Sequence, residues 1–455
     1  MKEIELNLGQ KSVPIDVPDS TEILPMGKAS LLFNAEEKIR AALANPIDCL
    51  SLKSLVHEKL KANPEAKAVV VISDNTRPVP YSGKSGILYP IVDEMIKAGL
   101  QPSQIRLLVA TGTHRAMKDE ELRDMLDSRV NSLGLEIISH DSRNPDELVS
   151  IGKTELGGEI LLNRLYVESD LKILTGLVES HFMAGASGGR KSICPGLIAE
   201  DSTHLLHSGP ILSSPNARDL ILEGNPVHQE ALQVAQMAGC DMIVNVTLDS
   251  GYRLTGVFAG DLESAHLAAF EKLKSYAAIP TDKKYDLVIG HTGFVGVNHY
   301  QAAKGALTCL PLLEEEGTCL LVAYHTDPDP IGSTQYKRML RLLKEKGSEK
   351  FLETILSPSW NFIPDQWEAQ MWARLFNKIP TENLIYCTFE IPEEAFSWIP
   401  GRDARTIIPE AQDLQELVTQ AIDWVYKKLC LRLGQEPRIA CLPDGPYGIP
   451  VEPEE

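Results

Sequence analysis

A chain of 455 residues, 43% apolar and 24% charged, has enough material for a large buried core and for two domains. Its formal charge of −19 excludes a general nucleic-acid surface, so an anionic ligand must be drawn by a local basic cluster. The eight cysteines form no Cys-x-x-Cys pair, and the chain has neither a signal-peptide core nor an apolar run of about 18 residues, so it is expected to be cytoplasmic, with reduced thiols and no membrane contact.

Residues 4–17 alternate polar and apolar and predict a two-stranded opening with a turn near Gly9-Gln10. Helical periodicity follows at 35–44 and 51–61. AVVVIS at 68–73 is a β-branched run expected of a strand covered on both faces, and it ends in Asp74-Asn75-Thr76-Arg77-Pro78. A helix is expected at 85–98, a strand at 105–110 ending in Thr111-Gly112-Thr113-His114-Arg115, a helix at 119–126 and a strand at 135–140. The strand at 171–174 runs into GLVESHFMAGASGGRKSICPG at 176–196. Strands at 242–248 and 255–258 and a helix at 261–276 complete this half. The proline-bearing AIPTDKK at 278–284 is a candidate linker. A second alternation follows, with strands at 287–290, 318–324, 384–388 and 439–442 and helices at 298–310, 366–376 and 414–429. The proline-rich end, PDGPYGIPVEPEE, is expected to be loose.

This alternation predicts an α/β protein: two α/β domains with largely parallel sheets, at 1–279 and 283–455, and an active-site cleft between them. Ligands of open α/β sheets sit at the carboxyl ends of strands, where the polar segments 74–77, 111–115 and 176–191 all fall. GASGGRKS nearly matches the phosphate-loop pattern GxxxxGK[ST], but Arg190 stands where the second glycine belongs. The loop is open to three readings: an anion cradle of backbone N–H groups with Arg190 and Lys191, a nucleotide-hydrolase loop, or a structural turn. His114 and His181 each follow a strand, in turns where an imidazole can act as acid or base. His204 and His207 share a helix face, which is compatible with metal binding. Arg77 belongs either to an Asx turn or to a bidentate anion contact. Gln301 and Lys304 share a helix face, while Trp367 and Trp372 have the pattern of core residues.

Together the segments resemble one family, the nickel-pincer-nucleotide-dependent lactate racemases. The resemblance is carried by DNTRP at 74–78, ATGTHR at 110–115, SHFMAGASGGRKSICPG at 180–196, His207, YQAAKG at 300–305 and DQWEAQ at 365–370, in family order across nearly the whole chain. It implies a racemase or epimerase that inverts C2 of a 2-hydroxy acid by reversible hydride transfer. The implied cofactor is nickel held in pyridinium-3,5-bisthiocarboxylic acid mononucleotide, covalently attached to Lys191, with His207 as the protein ligand to the metal. It further implies His114 and His181 as the two acid/base residues. Arg77, Tyr300, Gln301, Lys304 and Trp367 are then expected around the substrate, and Asp74, Thr76, Ser187, Gly188, Gly189 and Arg190 around the cofactor, the glycines and Arg190 admitting its phosphate. Cofactor-making enzymes are the implied partners.

One segment departs from the family pattern. HTGFVGVNHYQ at 291–301 has Phe294 and Val295 where many relatives have Tyr and Pro, and adds His291, Asn298 and His299. These extra polar groups suit either a hydroxylated sugar acid, which would make the chain an aldonate 2-epimerase, or simple turns. A phosphate-loop kinase or nucleotide hydrolase is the rival reading from another class.

Overall fold

The computed structural model describes residues 1–453, and the chain divides into two compact units. One consists of 28–207 and 214–275, the other of 1–27, 208–213 and 276–455. The break near residue 276 lies close to the expected boundary. The first 27 residues, however, belong with the C-terminal half rather than with a 1–279 domain, because they complete its sheet and core.

In the 28–207/214–275 unit a six-stranded sheet runs in the order Leu254–Gly260, Met242–Leu248, Leu171–Leu177, Ala68–Ser73, Ile105–Ala110, Glu136–Ser139. All neighbours are parallel except the first pair, which is antiparallel. Five of the six residues of AVVVIS are buried, as a strand with both faces covered requires. Helices Ala35–Ala44, Leu52–Ala62 and Leu88–Lys97 bring Ile39, Leu43, Val56, Leu88, Ile91 and Met95 into the same apolar core as Val70 and Ile72. Ser51 caps the second of these helices by accepting the N–H of Ser54 at 3.2 Å. From Ala68–Ser73 the chain builds outward in one direction through 105–110 and 136–139, then returns to add 171–177 and 242–248 on the other side. The switch in order therefore falls between Ala68–Ser73 and Leu171–Leu177, where ligands of such sheets bind.

The other unit carries a wholly parallel six-stranded sheet, Arg402–Asp403, Leu384–Cys387, Leu313–Val322, Tyr285–His291, Ile439–Cys441, Glu22–Ile23. The opening hairpin, Lys2–Asn7 with Ser12–Val17, forms as expected, and its Leu6, Val13, Ile15 and Val17 join the core formed with helix Leu414–Leu433.

Two expectations fail here for one reason. Ala278–Pro280 is a strand rather than a linker, and it pairs in parallel with Ile449–Val451, which holds down the end expected to be loose. Backbone pairing tolerates proline at such short edges, so composition misled on both segments. The final Glu454 and Glu455 lie outside the described residues. Among the described residues no helix is long and apolar enough to cross a membrane. All eight cysteines are free thiols.

Candidate active site

The site of the 28–207/214–275 unit grows from the carboxyl ends of three adjacent strands. Ala68–Ser73 ends at Asp74, which is 4% exposed. Its Oδ1 accepts the backbone N–H of Thr76 at 3.1 Å and the Thr76 hydroxyl at 2.5 Å. Its Oδ2 lies 2.7 Å from Nδ1 of His114, the residue that follows strand Ile105–Ala110. Burial pushes the Asp74 carboxyl up, but the hydrogen bonds from His114 and Thr76 outweigh it and hold it below the usual carboxylate range. A carboxylate can only accept, so Nδ1 of His114 carries a proton and the neutral ring presents a bare Nε2. The His114 turn is fastened to the glycine segment by Gly112 N–H donating to Gly196 O at 3.0 Å.

Leu171–Leu177 includes Gly176, so the glycine segment begins inside the sheet, opposite Asn245. After it come Glu179 and His181. Nδ1 of His181 accepts the N–H groups of Met183 and Ala184 at 3.2 and 3.3 Å, and its Nε2 lies 2.9 Å from Lys191 Nζ. With Nδ1 an acceptor, the neutral ring has its proton on Nε2. Arg77 pairs with Glu179, Nη1 to Oε1 at 3.2 Å. Glu179 carries none of the recognised motifs; its signal in the sequence is a carboxylate at a strand end two residues before His181.

The loop itself corrects the phosphate-cradle expectation. Three of its N–H groups are committed within the protein: Ser187 to Glu179 O at 2.9 Å, Gly189 to Asn245 Oδ1 at 2.8 Å and Lys191 to Gly188 O at 3.0 Å. Gly188 and Gly189 have φ of 74° and 51°. A Cβ on Gly188 would stand 2.6 Å from Val178 Cγ2, and one on Gly189 2.8 Å from His266 Cδ2, so these glycines serve turning and close packing. Arg190, 1% exposed, donates to the carbonyls of Ala184 and Ala186 at 2.9 Å each and meets His266 Nε2 at 2.8 Å. Burial pushes its guanidinium down to about 9. Arg190 thus closes the loop from within instead of reaching an outside phosphate. Gly189–Ser192 is a four-residue 3-10 turn, not the long helix that a nucleotide-hydrolase loop leads into, which removes that rival. Ser187 bonds the carbonyl of Leu177 at 2.7 Å and is likewise structural. Asn245 and His266 were not legible as partners of this loop.

His207 ends helix Glu200–Leu206 as its C-cap. Its Nδ1 donates to Thr203 O at 3.2 Å, which fixes the tautomer with the ring proton on Nδ1. Burial, then the nearby Lys191 charge, push it down to about 3, so the ring is neutral as a metal ligand must be. His204 faces Asp201, with Nδ1 3.8 Å from Oδ1. Among the described residues no cluster of three or more His, Cys, Asp or Glu side chains is placed to hold a metal. A metal here would need most of its ligands from outside the protein.

In the other unit, helix His299–Cys309 starts at Asn298, whose side chain caps Gln301 N–H at 3.0 Å. Tyr300 and Lys304 lie one turn apart on it. Trp367 Nε1 donates to Tyr300 Oη at 2.6 Å, and the Trp367 ring stacks on Phe362 with centroids 5.9 Å apart. Of the extra polar residues of 291–299, His291 and His299 face inward and Asn298 pairs at the surface. His291 lies 2.9 Å from Pro443 O, Asn298 bonds Asp327 at 2.6 Å, and His299 bonds Tyr336 Oη at 2.8 Å while stacking on Trp372. They support the fold, so the ground for a sugar-acid substrate drawn from them falls away. Trp372 is core, 1% exposed.

A histidine on a buried carboxylate, a second histidine against a lysine and a switch-point location are an arrangement that can move protons on a small ligand. Comparison with known proteins supplies the family. A family model described as the lactate racemase N-terminal domain matches residues 8–219. A lactate racemase of Lactiplantibacillus plantarum is 31% identical over 416 residues, 91% of this chain and 90% of its own. Another, of Thermoanaerobacterium thermosaccharolyticum, is 32% identical over 387 residues, covering 82% and 86%. The solved apoprotein structure of lactate racemase from the latter organism matches 99% of this chain and 100% of its own, with a TM-score of 0.84 at 29% identity. The chain belongs to the lactate racemase family and is an isomerase.

Proposed function

We propose that the chain inverts C2 of a small, lactate-like 2-hydroxy acid, using a nickel-pincer mononucleotide tethered to Lys191. The observation that carries this reading is the pairing of two histidines at the sheet's carboxyl edge, His114 on Asp74 at 2.7 Å and His181 on Lys191 at 2.9 Å. The chain's residues fit the cofactor: Lys191 offers the tethering nitrogen, and His207 is a neutral imidazole whose ring proton sits on Nδ1, as a nickel ligand through Nε2 requires. When bound, the electron-poor pyridinium supplies a reversible acceptor for the substrate's α-hydrogen and its electron pair.

The protein's own part is proton handling and grip. His114 Nε2 takes the hydroxyl proton of one enantiomer, and the Asp74 carboxylate stabilises the imidazolium that results. His181, with its ring proton on Nε2, gives that proton to the oxygen of the other enantiomer as its hydroxyl forms, and takes it back in the reverse direction. Two histidines are required because that hydroxyl lies on opposite sides in the two forms. Arg77 supports the substrate carboxylate. Asp74 and Thr76 shape the turn beside the cofactor, with Ser187, Gly188, Gly189 and Arg190 fixing the loop that presents Lys191.

The test is production together with cofactor-making enzymes, followed by metal analysis, intact mass and racemisation of a panel of 2-hydroxy acids. Wild type should carry nickel and the covalent mass. Lys191→Ala should lose the mass, and His207→Ala should keep the mass but lose nickel. His114→Ala and His181→Ala should keep both and lose racemisation. Wild-type turnover in both histidine variants would sink the assignment.

A further inference from the structure

The two strands flanking the switch in sheet order end in opposite charges, Arg77 after one and Glu179 after the other. Arg77 Nη1 stands 3.2 Å from Glu179 Oε1, and the two side chains are 26% and 14% exposed. Glu179 is fixed from its backbone. Its N–H donates to Ser187 Oγ at 3.0 Å, and its carbonyl accepts the Ser187 N–H at 2.9 Å. The carboxylate is therefore built into the wall that also carries His181 and Lys191. It engages one terminal nitrogen of a five-donor fork, which leaves the other edge to a second acceptor. With Lys191 acylated, Asp74 and Glu179 outnumber Arg77 on this edge of the sheet. An incoming carboxylate meets a guanidinium whose charge is already shared.

We propose that Glu179 is a positioning residue that weakens the hold of Arg77 on the substrate carboxylate. This deepens the function proposed above and rests on it. Two carboxylates on opposite edges of one guanidinium stand about 6 Å apart. At an effective dielectric of about 40, between water and protein interior, their repulsion is worth about tenfold in affinity. The opposing effect is looser aim of an unpaired Arg77, whose backbone stays fixed in its turn by Arg77 N–H to Asp74 O at 3.3 Å. A weak grip suits the chemistry. The planar keto acid must present its other face before the α-hydrogen returns, and a carboxylate locked on a full guanidinium charge would resist that turn. Tighter uniform binding would lower KM without raising kcat.

The experiment uses holoenzyme and propionate, which differs from lactate by the hydroxyl alone. Glu179→Gln should bind propionate about tenfold more tightly, by calorimetry and as a competitive inhibitor. KM for the best 2-hydroxy acid should fall by a similar factor while kcat does not rise. In an Arg77→Ala background the same substitution should change neither value. Propionate binding that is unchanged or weaker in Glu179→Gln, or a gain that persists without Arg77, overturns the proposal. Should Glu179→Gln fail to fold or load, Glu179→Asp, which draws the carboxylate back, should give an intermediate gain in propionate affinity; no gain there overturns it equally. Wild type that racemises no 2-hydroxy acid would instead refute the function above, and the calorimetric titration would still report on Glu179.

Discussion

Asp74→Asn tests the acid/base assignment most sharply, because the surroundings dictate which way the amide must lie. The Thr76 N–H and hydroxyl both donate to Oδ1, so they select the amide oxygen at that position. The amide nitrogen is then forced toward His114 Nδ1, 2.7 Å away. An N–H facing Nδ1 makes it an acceptor, moves the ring proton to Nε2, and removes the lone pair that receives the substrate proton. Loss of a positioned base, compounded by the wrong tautomer, should lower kcat by about 10³. The fold should lose only about 1 kcal/mol, since the volume and the Thr76 bonds survive. The assay is racemisation from a pure enantiomer followed by circular dichroism, with nickel content and thermal midpoint as controls. Turnover within about tenfold of wild type at equal nickel content would refute the reasoning.

Three further outcomes follow from the loop and from the buried histidines. Arg190→Met takes the guanidinium donors from the carbonyls of Ala184 and Ala186, of which Ala184 O keeps the Ala186 N–H at 2.9 Å, and should cost about 1–3 kcal/mol in urea unfolding; a loss under about 0.5 kcal/mol would mean the guanidinium is not what closes the loop. Gly189→Ala must force φ of 51° on a side chain and press a Cβ to 2.8 Å from His266, so it should destabilise by about 1–3 kcal/mol and lower the covalently loaded fraction in intact-mass spectra, whereas normal loading and stability would contradict the packing argument. Burial pushes His291 down to about 4 and His228 to about 3, so both are neutral when folded and take protons only on unfolding as pH falls below about 6.5. Their stability contribution is full above that pH and is lost on acidification by up to about 1.4 kcal/mol per pH unit each, so unfolding midpoints at pH 7 and 5 should differ strongly, and a flat profile would refute this.

Much of the frame was legible because strand ends and glycine loops leave strong local signatures. AVVVIS, the strand at 105–110 and the helices at 35–44 and 366–376 appear at the expected residues. The hairpin of Leu148–Lys153 with Glu159–Asn163 passed unread, and so did helix Pro226–Ala238, although Asn225 and Pro226 mark its start with a cap and a first-turn proline. In the loop, sequence signalled that glycines and cations gather, but not which way they face. Arg190 looks like an anion receptor until its carbonyl partners are seen, and those lie four and six residues back in a turn whose path no periodicity encodes. His299 was misjudged for a similar reason. Its partners Tyr336, Trp372 and Tyr386 are more than 30 residues away, and only tertiary packing makes it a core ring.

The pairing of Glu22 and Ile23 with Ala440 and Cys441 joins the two extremes of the chain in one sheet edge. During synthesis, the strand partner of residues 22–23 emerges more than 400 residues later, after the sheet of 28–207 and 214–275 is fully encoded. The unit of 28–207 and 214–275 has its whole sheet encoded before residue 276 and can fold while the remainder is still being made. Removal of the last twenty residues should therefore leave a folded piece bearing His114, His181 and Lys191 beside a half-built neighbour that exposes an open sheet edge to aggregation.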